Sequence, residues 1–205
     1  MFLWRGDLAK AEDHLATYIT HAERYSFGAL SNLGRGIAGV IAVRKGDIRM
    51  GVAILEENLN ALHQSRYDVM RPELVCALAE GLARTSGFQA ALATMNDEIN
   101  RVDLMGGSCM MPELLRVKSD LLSSAPGGDL VAAEQLLLRS LSLAQSQSAL
   151  SWQLRSAISL TRLYLRLGRK PTAHDRLAET HRLLTEGFDS TDVRTATELL
   201  SELRR

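Results

Sequence analysis

The sequence predicts an all-α fold: a right-handed α-solenoid of paired helices, closed at its C-terminal end by a capping helix. Three observations carry that prediction. The 205-residue chain has four prolines and long runs of Ala, Leu, Glu, Gln and Arg, with valine and aromatics sparse, a composition that favours helix. A marker recurs at Gly6, Gly46, Ser86, Gly128 and Gly168, so that three steps of forty positions are broken by a single step of forty-two. Each marker is followed by the same spacing of apolar side chains, the signature of a structural repeat.

Five positions after the markers stand the small residues Ala11, Gly51, Ala91, Ala133 and Ala173. Nine after come Leu15, Leu55, Met95, Leu137 and Leu177; thirteen after come Ile19, Leu59, Ile99, Leu141 and His181. Sixteen after come Ala22, Leu62, Val102, Ala144 and Leu184. Steps of three and four put these offsets on one helical face, so a helix with a buried stripe follows every marker. The segments ahead of the markers repeat too. Met70-Arg71-Pro72-Glu73-Leu74 returns one period later as Met110-Met111-Pro112-Glu113-Leu114, and then as Leu150-Ser151-Trp152-Gln153-Leu154. Proline suits a first helical turn, and glutamate beside it favours the positive end of the helix dipole.

The unit is helix, glycine turn, helix. In order, the spacing predicts a half pair at 7–24, then helices at 26–45 and 47–65, 70–85 and 88–103, 112–124 and 129–147, 149–167 and 171–186, and a cap at 190–203. The pairs therefore span 26–65, 70–103, 112–147 and 149–186. Pro126-Gly127-Gly128 lengthens one turn, which accounts for the longer step. Glycine ends one helix in the left-handed conformation and aspartate caps the next, as in Gly6-Asp7, Gly46-Asp47 and Gly128-Asp129; Asp189 or Ser190 caps the last helix. Arg5-Gly6-Asp7 is thus a repeat turn rather than an adhesion tripeptide, with Lys45-Gly46-Asp47 as its sibling. The period suits HEAT or armadillo units, but the small residue at +5 and large one at +9 fit a lengthened tetratricopeptide unit better. Residues 1–205 are read as a single domain of this kind.

Twenty-four Lys and Arg balance 24 Asp and Glu, so no net field draws the chain to nucleic acid or an anionic membrane. Arg5 and Asp7 interrupt the first apolar run, and the apolar stretch 37–43 is far too short to span a bilayer. Cys76 and Cys109 are read as reduced thiols. A cytoplasmic protein is expected.

Chemistry-bearing motifs are thin. Gly34-Arg35-Gly36-Ile37-Ala38-Gly39 matches G-x-G-x-x-G, but no strand pattern precedes it, as a dinucleotide site requires. His14 and His21, like His174 and His181, are seven apart; zinc on a helix calls for histidines at i, i+4 with a further ligand. Neither cysteine has a histidine close in sequence to serve as base. No catalytic residue, cofactor or metal site is assigned. Trp4, Trp152 and Tyr164 are read as packing residues. The candidate partner-binding residues are Arg155, Arg162 and Arg166, spaced by 7 and 4 and hence on one helical face, since guanidinium binds carboxylates bidentately. Small residues on the first helices of the pairs (Gly34, Gly36, Ala77, Ala79) would leave room for a small-molecule effector.

From Pro112 onward the residues resemble a known tail. PELLRVKSDLL, AEQLLLRSLSLAQSQSALSWQLRSAISLTRLYLRLGR and LLTEGFDSTDVRTATELLSEL look like the end of the tetratricopeptide region of bacterial signal-transduction ATPases. Those proteins carry a class III adenylate cyclase or a winged-helix DNA-binding domain at the front. The most specific stretches are Ser151-Trp152-Gln153-Leu154-Arg155, Ser159-Leu160 with Arg162-Leu163, Gly168-Arg169, and Thr185-Glu186-Gly187-Phe188-Asp189; residues 1–111 are similar more loosely. The resemblance implies a non-catalytic sensor and interaction arm of a signalling or transcriptional regulator, binding a protein, a peptide or its own upstream domains. The chain has no G-x-x-x-x-G-K-S/T phosphate loop, cyclase segment or winged helix, so ATP hydrolysis, cyclase activity and DNA binding are not carried over. It is read as a C-terminal portion or a free-standing remnant.

Overall fold

The computed structural model describes residues 2–65, 67–85 and 87–204, and all the regular structure among them is helical. The elements are α1 (Phe2–Arg5), α2 (Leu8–Arg24), α3 (Gly28–Lys45), α4 (Ile48–Gln64), α5 (Arg71–Thr85), α6 (Phe88–Leu104), α7 (Met111–Ser124), α8 (Leu130–Ser146), α9 (Leu150–Arg166), α10 (Lys170–Arg182) and α11 (Thr191–Leu203). Their bounds fall close to the sequence expectation, with two exceptions. The short α1 has no counterpart in it, and α10 stops at Arg182 rather than 186. No helix among the described residues is long and apolar enough to cross a membrane.

The repeat columns are buried as the periodicity requires. At +5, Ala91, Ala133 and Ala173 are fully buried, and at +9 so are Leu55, Met95 and Leu177. Leu74 and Leu114, one in each of the echoed Met–Pro–Glu–Leu segments, are inaccessible, and Leu154 is nearly so. Burying one such leucine contributes about 1.5–3 kcal/mol. The chain divides into two compact units, one reaching to Glu98 and the other starting at Ile99. In the first, α3 packs on α2, α4 and α5; in the second, α7 packs on α8 and α9, and α9 on α8, α10 and α11. Within each unit, first helices of successive pairs therefore touch each other directly.

Two turns depart from the sequence expectation. Gly46 ends α3 in the left-handed conformation at φ 97°, but Asp47 makes no side-chain cap; Asp7 and Asp129 do, accepting from the N–H of Lys10 and Ala132. In the lengthened turn the left-handed residue is Gly127, not the marker Gly128. Gly128 is required for another reason: a Cβ there would overlap the Leu122 carbonyl oxygen. Ser86 lies outside the described residues, and the left-handed residue nearest it is Gly87. Ser26 and Ser148 also take positive φ, at 57° and 54°, before α3 and α9. Ser190 rather than Asp189 caps α11, accepting from the Val193 N–H.

Within three helix pairs the first helix closes on the carbonyl of the +5 residue. In α3/α4 a Cβ on Gly39 would lie 3.2 Å from the Gly51 oxygen, and one on Gly51 2.9 Å from the Gly39 oxygen. In α7/α8 the Ser119 hydroxyl donates to the Ala133 carbonyl at 2.8 Å, and in α9/α10 the Thr161 hydroxyl donates to the Ala173 carbonyl at 3.4 Å. The Ser140 hydroxyl reaches the Pro112 carbonyl at 2.6 Å and lies 2.7 Å from Ser156 Oγ, joining α8 to α7 and α9. These donors are buried, so leaving one unpaired would cost about 1–3 kcal/mol.

Candidate functional site

The face of α7 and α9 gathers the charged side chains that the sequence singled out. Glu113, in the first turn of α7, is buried rather than simply complementing the helix dipole as its position suggested. Arg116, one turn on, grips it with Nε and Nη2 at 2.7 and 2.9 Å and sends Nη1 to Asp120. From α9, Arg155 approaches Glu113 at 3.2 Å and Asp192 of α11 at 2.7 Å, while its guanidinium lies 5.0 Å from the centre of the Trp152 ring. The Ser159 hydroxyl donates to Asp120 at 3.1 Å.

The electrostatics follow from that packing. Burial alone would push the Glu113 carboxyl up, but Arg116 and Arg155 outweigh it and hold the group below its ordinary range. Burial acts against the Arg155 cation as well, yet Glu113 and Asp192 raise its pKa, so it stays charged. Asp120 goes the other way: burial raises its pKa, and Arg116 and Ser159 do not fully offset the rise. Water still reaches Asp120, whose side chain is 41% accessible, so its shift weighs less on stability than that of Glu113.

The three candidate arginines thus separate. Arg155 is only 13% accessible and its charge is committed to two acids of its own chain. Arg166 donates to the Ser123 carbonyl at 2.6 Å from an exposed position. Arg162 is exposed, and its charge acts on Asp120 through its field. Of the three it is the guanidinium best placed to take an outside carboxylate.

The first unit holds a related cluster that sequence reasoning missed. Glu73, on α5, is buried; it accepts from Arg44 of α3 at 2.6 Å and from the Trp4 indole at 3.0 Å, and Arg44 also donates to the Leu3 carbonyl. Arg71 joins α5 to α6 through buried Glu98 at 3.0 Å. The signal available was the echo of Glu73 in Glu113, but Arg44 and Arg155 reach those acids from other helices, far along the chain.

Other candidates find structural employment. Gly34, Gly36 and Gly39 all lie inside α3, where added Cβ atoms would meet Ile19, Leu74 and Leu55 at 2.7, 2.8 and 2.9 Å. Ala77 and Ala79 are buried. The room that these small residues leave is taken up by close helix packing. Cys76 is buried and Cys109 exposed, and His14 stacks on Phe2. No group of three or more metal-ligating side chains occurs among the described residues. His174 and His181 share one wall of a cavity of about 570 Å³ on α10 and α11.

No family model matches the chain, and no curated protein matches it.

Proposed function

We propose that this chain is a non-catalytic interaction and sensor arm of a bacterial signalling or transcriptional regulator, working in the cytoplasm. In this reading the helix pairs form a right-handed, tetratricopeptide-like superhelix over residues 1–205. Its binding surface is the open side of the first helices, and its partner is a protein, a peptide or another domain of a longer protein. The supporting observation is that first helices pack on one another within each unit, α3 on α5 and α7 on α9. A repeat array uses such a row of helices as a shared binding face. Arg162 and Arg166 would supply the charge on that face for a carboxylate-bearing partner.

Crosslinking in the native host, followed by reconstitution with the purified partner, tests this. Charge reversal at Arg162 and Arg166 should weaken binding tenfold or more, in line with the loss of one or two charge-assisted hydrogen bonds. Unchanged affinity in the Arg162→Glu, Arg166→Glu variant would remove the α9 face from the proposal.

A further inference from the structure

The end of the second unit departs from the repeat at one column. Thirteen positions past each marker stand Ile19, Leu59, Ile99 and Leu141, but the last repeat has His181. There the imidazole Nε2 lies 3.2 Å from the Thr197 hydroxyl of α11, so a polar wall replaces the aliphatic seal. Beside it opens the cavity of about 570 Å³, which His181 lines together with Arg182, Arg204, Ala178 and Leu200. That volume lies in the range of small-ligand pockets, roughly 300–1,000 Å³.

Two carboxylates, Asp175 and Glu179, line the cavity as well. Asp175 faces His174 at 3.3 Å and Glu179 faces Arg176 at 3.9 Å. Arg182 donates to the Ala178 carbonyl of its own helix, and among the described residues no carboxylate pairs with Arg182 or Arg204. Leu200, part of the core between α9, α10 and α11, and Ala178, half-buried against it, give the cavity an apolar floor. Two guanidiniums that no described carboxylate pairs with, set above an apolar floor, suit an anionic ligand with an apolar body. We infer that the α10/α11 cavity binds a small organic dianion, with Arg182 and Arg204 taking its two charged groups and Ala178 and Leu200 its apolar body. The site is separate from the α9 face and does not depend on the interaction reading.

Titration of the full chain with phthalate, followed by backbone and arginine side-chain NMR, tests it. Saturable shifts confined to α10 and α11 are expected, with a Kd of about 1 mM or tighter, and none with the neutral phthalamide. Arg182→Gln and Arg204→Gln should each weaken binding about tenfold or more, and Ala178→Trp should abolish it while leaving every charge in place. If Ala178→Trp fails to fold, the two arginine variants, both at exposed positions, still decide. Absence of saturable shifts, or undiminished binding by both arginine variants, overturns the inference. So does binding of an acidic peptide to these helices where phthalate does not bind.

Discussion

Glu73 in the first unit and Glu113 in the second occupy the same place in the repeat, one period apart, and both are buried. They are neutralised differently. Among the described residues, Glu73 has one cation, Arg44, supplied by the preceding first helix, and one neutral donor, Trp4. Glu113 has two cations, one from its own helix and one from the following first helix, and the second is itself tied to α11. The same contrast runs through the helix contacts: bare glycines bring α3 and α4 together, whereas a serine hydroxyl pins α7 to α8. One repeat pattern thus admits two solutions to a buried polar position. The solution with the single cation is expected to be the more fragile.

The largest expected effect follows from that difference. Arg44→Met leaves Glu73 buried without a cation and should cost about 3–5 kcal/mol. Arg155→Met leaves Glu113 its Arg116 fork and should cost about 1–3 kcal/mol. Denaturant unfolding with site-resolved hydrogen exchange would place each loss in its own unit, and equal losses would break the comparison. Adding Glu73→Gln to Arg44→Met should restore part of the stability.

The helix contacts come next. Gly51→Ala forces a Cβ to within 2.8 Å of the Val43 nitrogen and 2.9 Å of the Gly39 oxygen, at a cost of about 1–3 kcal/mol. Ser119→Ala, which removes only a donor to the Ala133 carbonyl, should cost about 1 kcal/mol. Thermal unfolding of both variants gives the order.

A pH series sharpens the second unit further. The Glu113 pKa in the folded chain lies below its ordinary value of 4.5. Its ionised form therefore stabilises the fold at neutral pH, and that contribution is lost as pH falls through the folded value. Asp120, raised above 3.8, contributes most in acid and loses that contribution as pH rises through its folded value. The stability gap between the native chain and Glu113→Gln should therefore be widest near neutrality and shrink below about pH 4.5. A constant gap from about pH 7 to about pH 3 would contradict the assigned ion pairing. The smallest effect belongs to Arg162→Glu, whose exposed side chain should change stability by no more than about 0.5 kcal/mol.

The helices were legible because a stripe repeated five times leaves little freedom for their phase, and Leu55, Met95, Leu137 and Leu177 occupy the same buried column. α1 was not, since so short a segment contains barely one turn of period. The sequence places the end of α10 too late because no breaker stands between Arg182 and Gly187. Ser26 and Ser148 adopt left-handed turns with no glycine to announce them. The charged clusters were half legible: the arginines and glutamates stood out, but pairing between distant helices is decided by packing, not by spacing. That is why Arg155, a candidate for an outside partner, is engaged within the chain instead. The seven-residue spacing of His174 and His181 places them on one side of α10; the hollow beside them depends on how α11 lies, which spacing does not encode.

The turn after α7 carries extra length but admits no bulk. Two surplus residues between Ser124 and Leu130 leave Leu137 in its buried column, because Gly127 reverses the chain and Gly128 passes under the Leu122 carbonyl. For an engineer, this bend is already closed: the Gly128 N–H donates to the Ala125 carbonyl at 3.0 Å, so residues inserted between Ala125 and Pro126 would part the two ends of the turn, and any side chain grafted onto Gly128 would pry the hairpin apart.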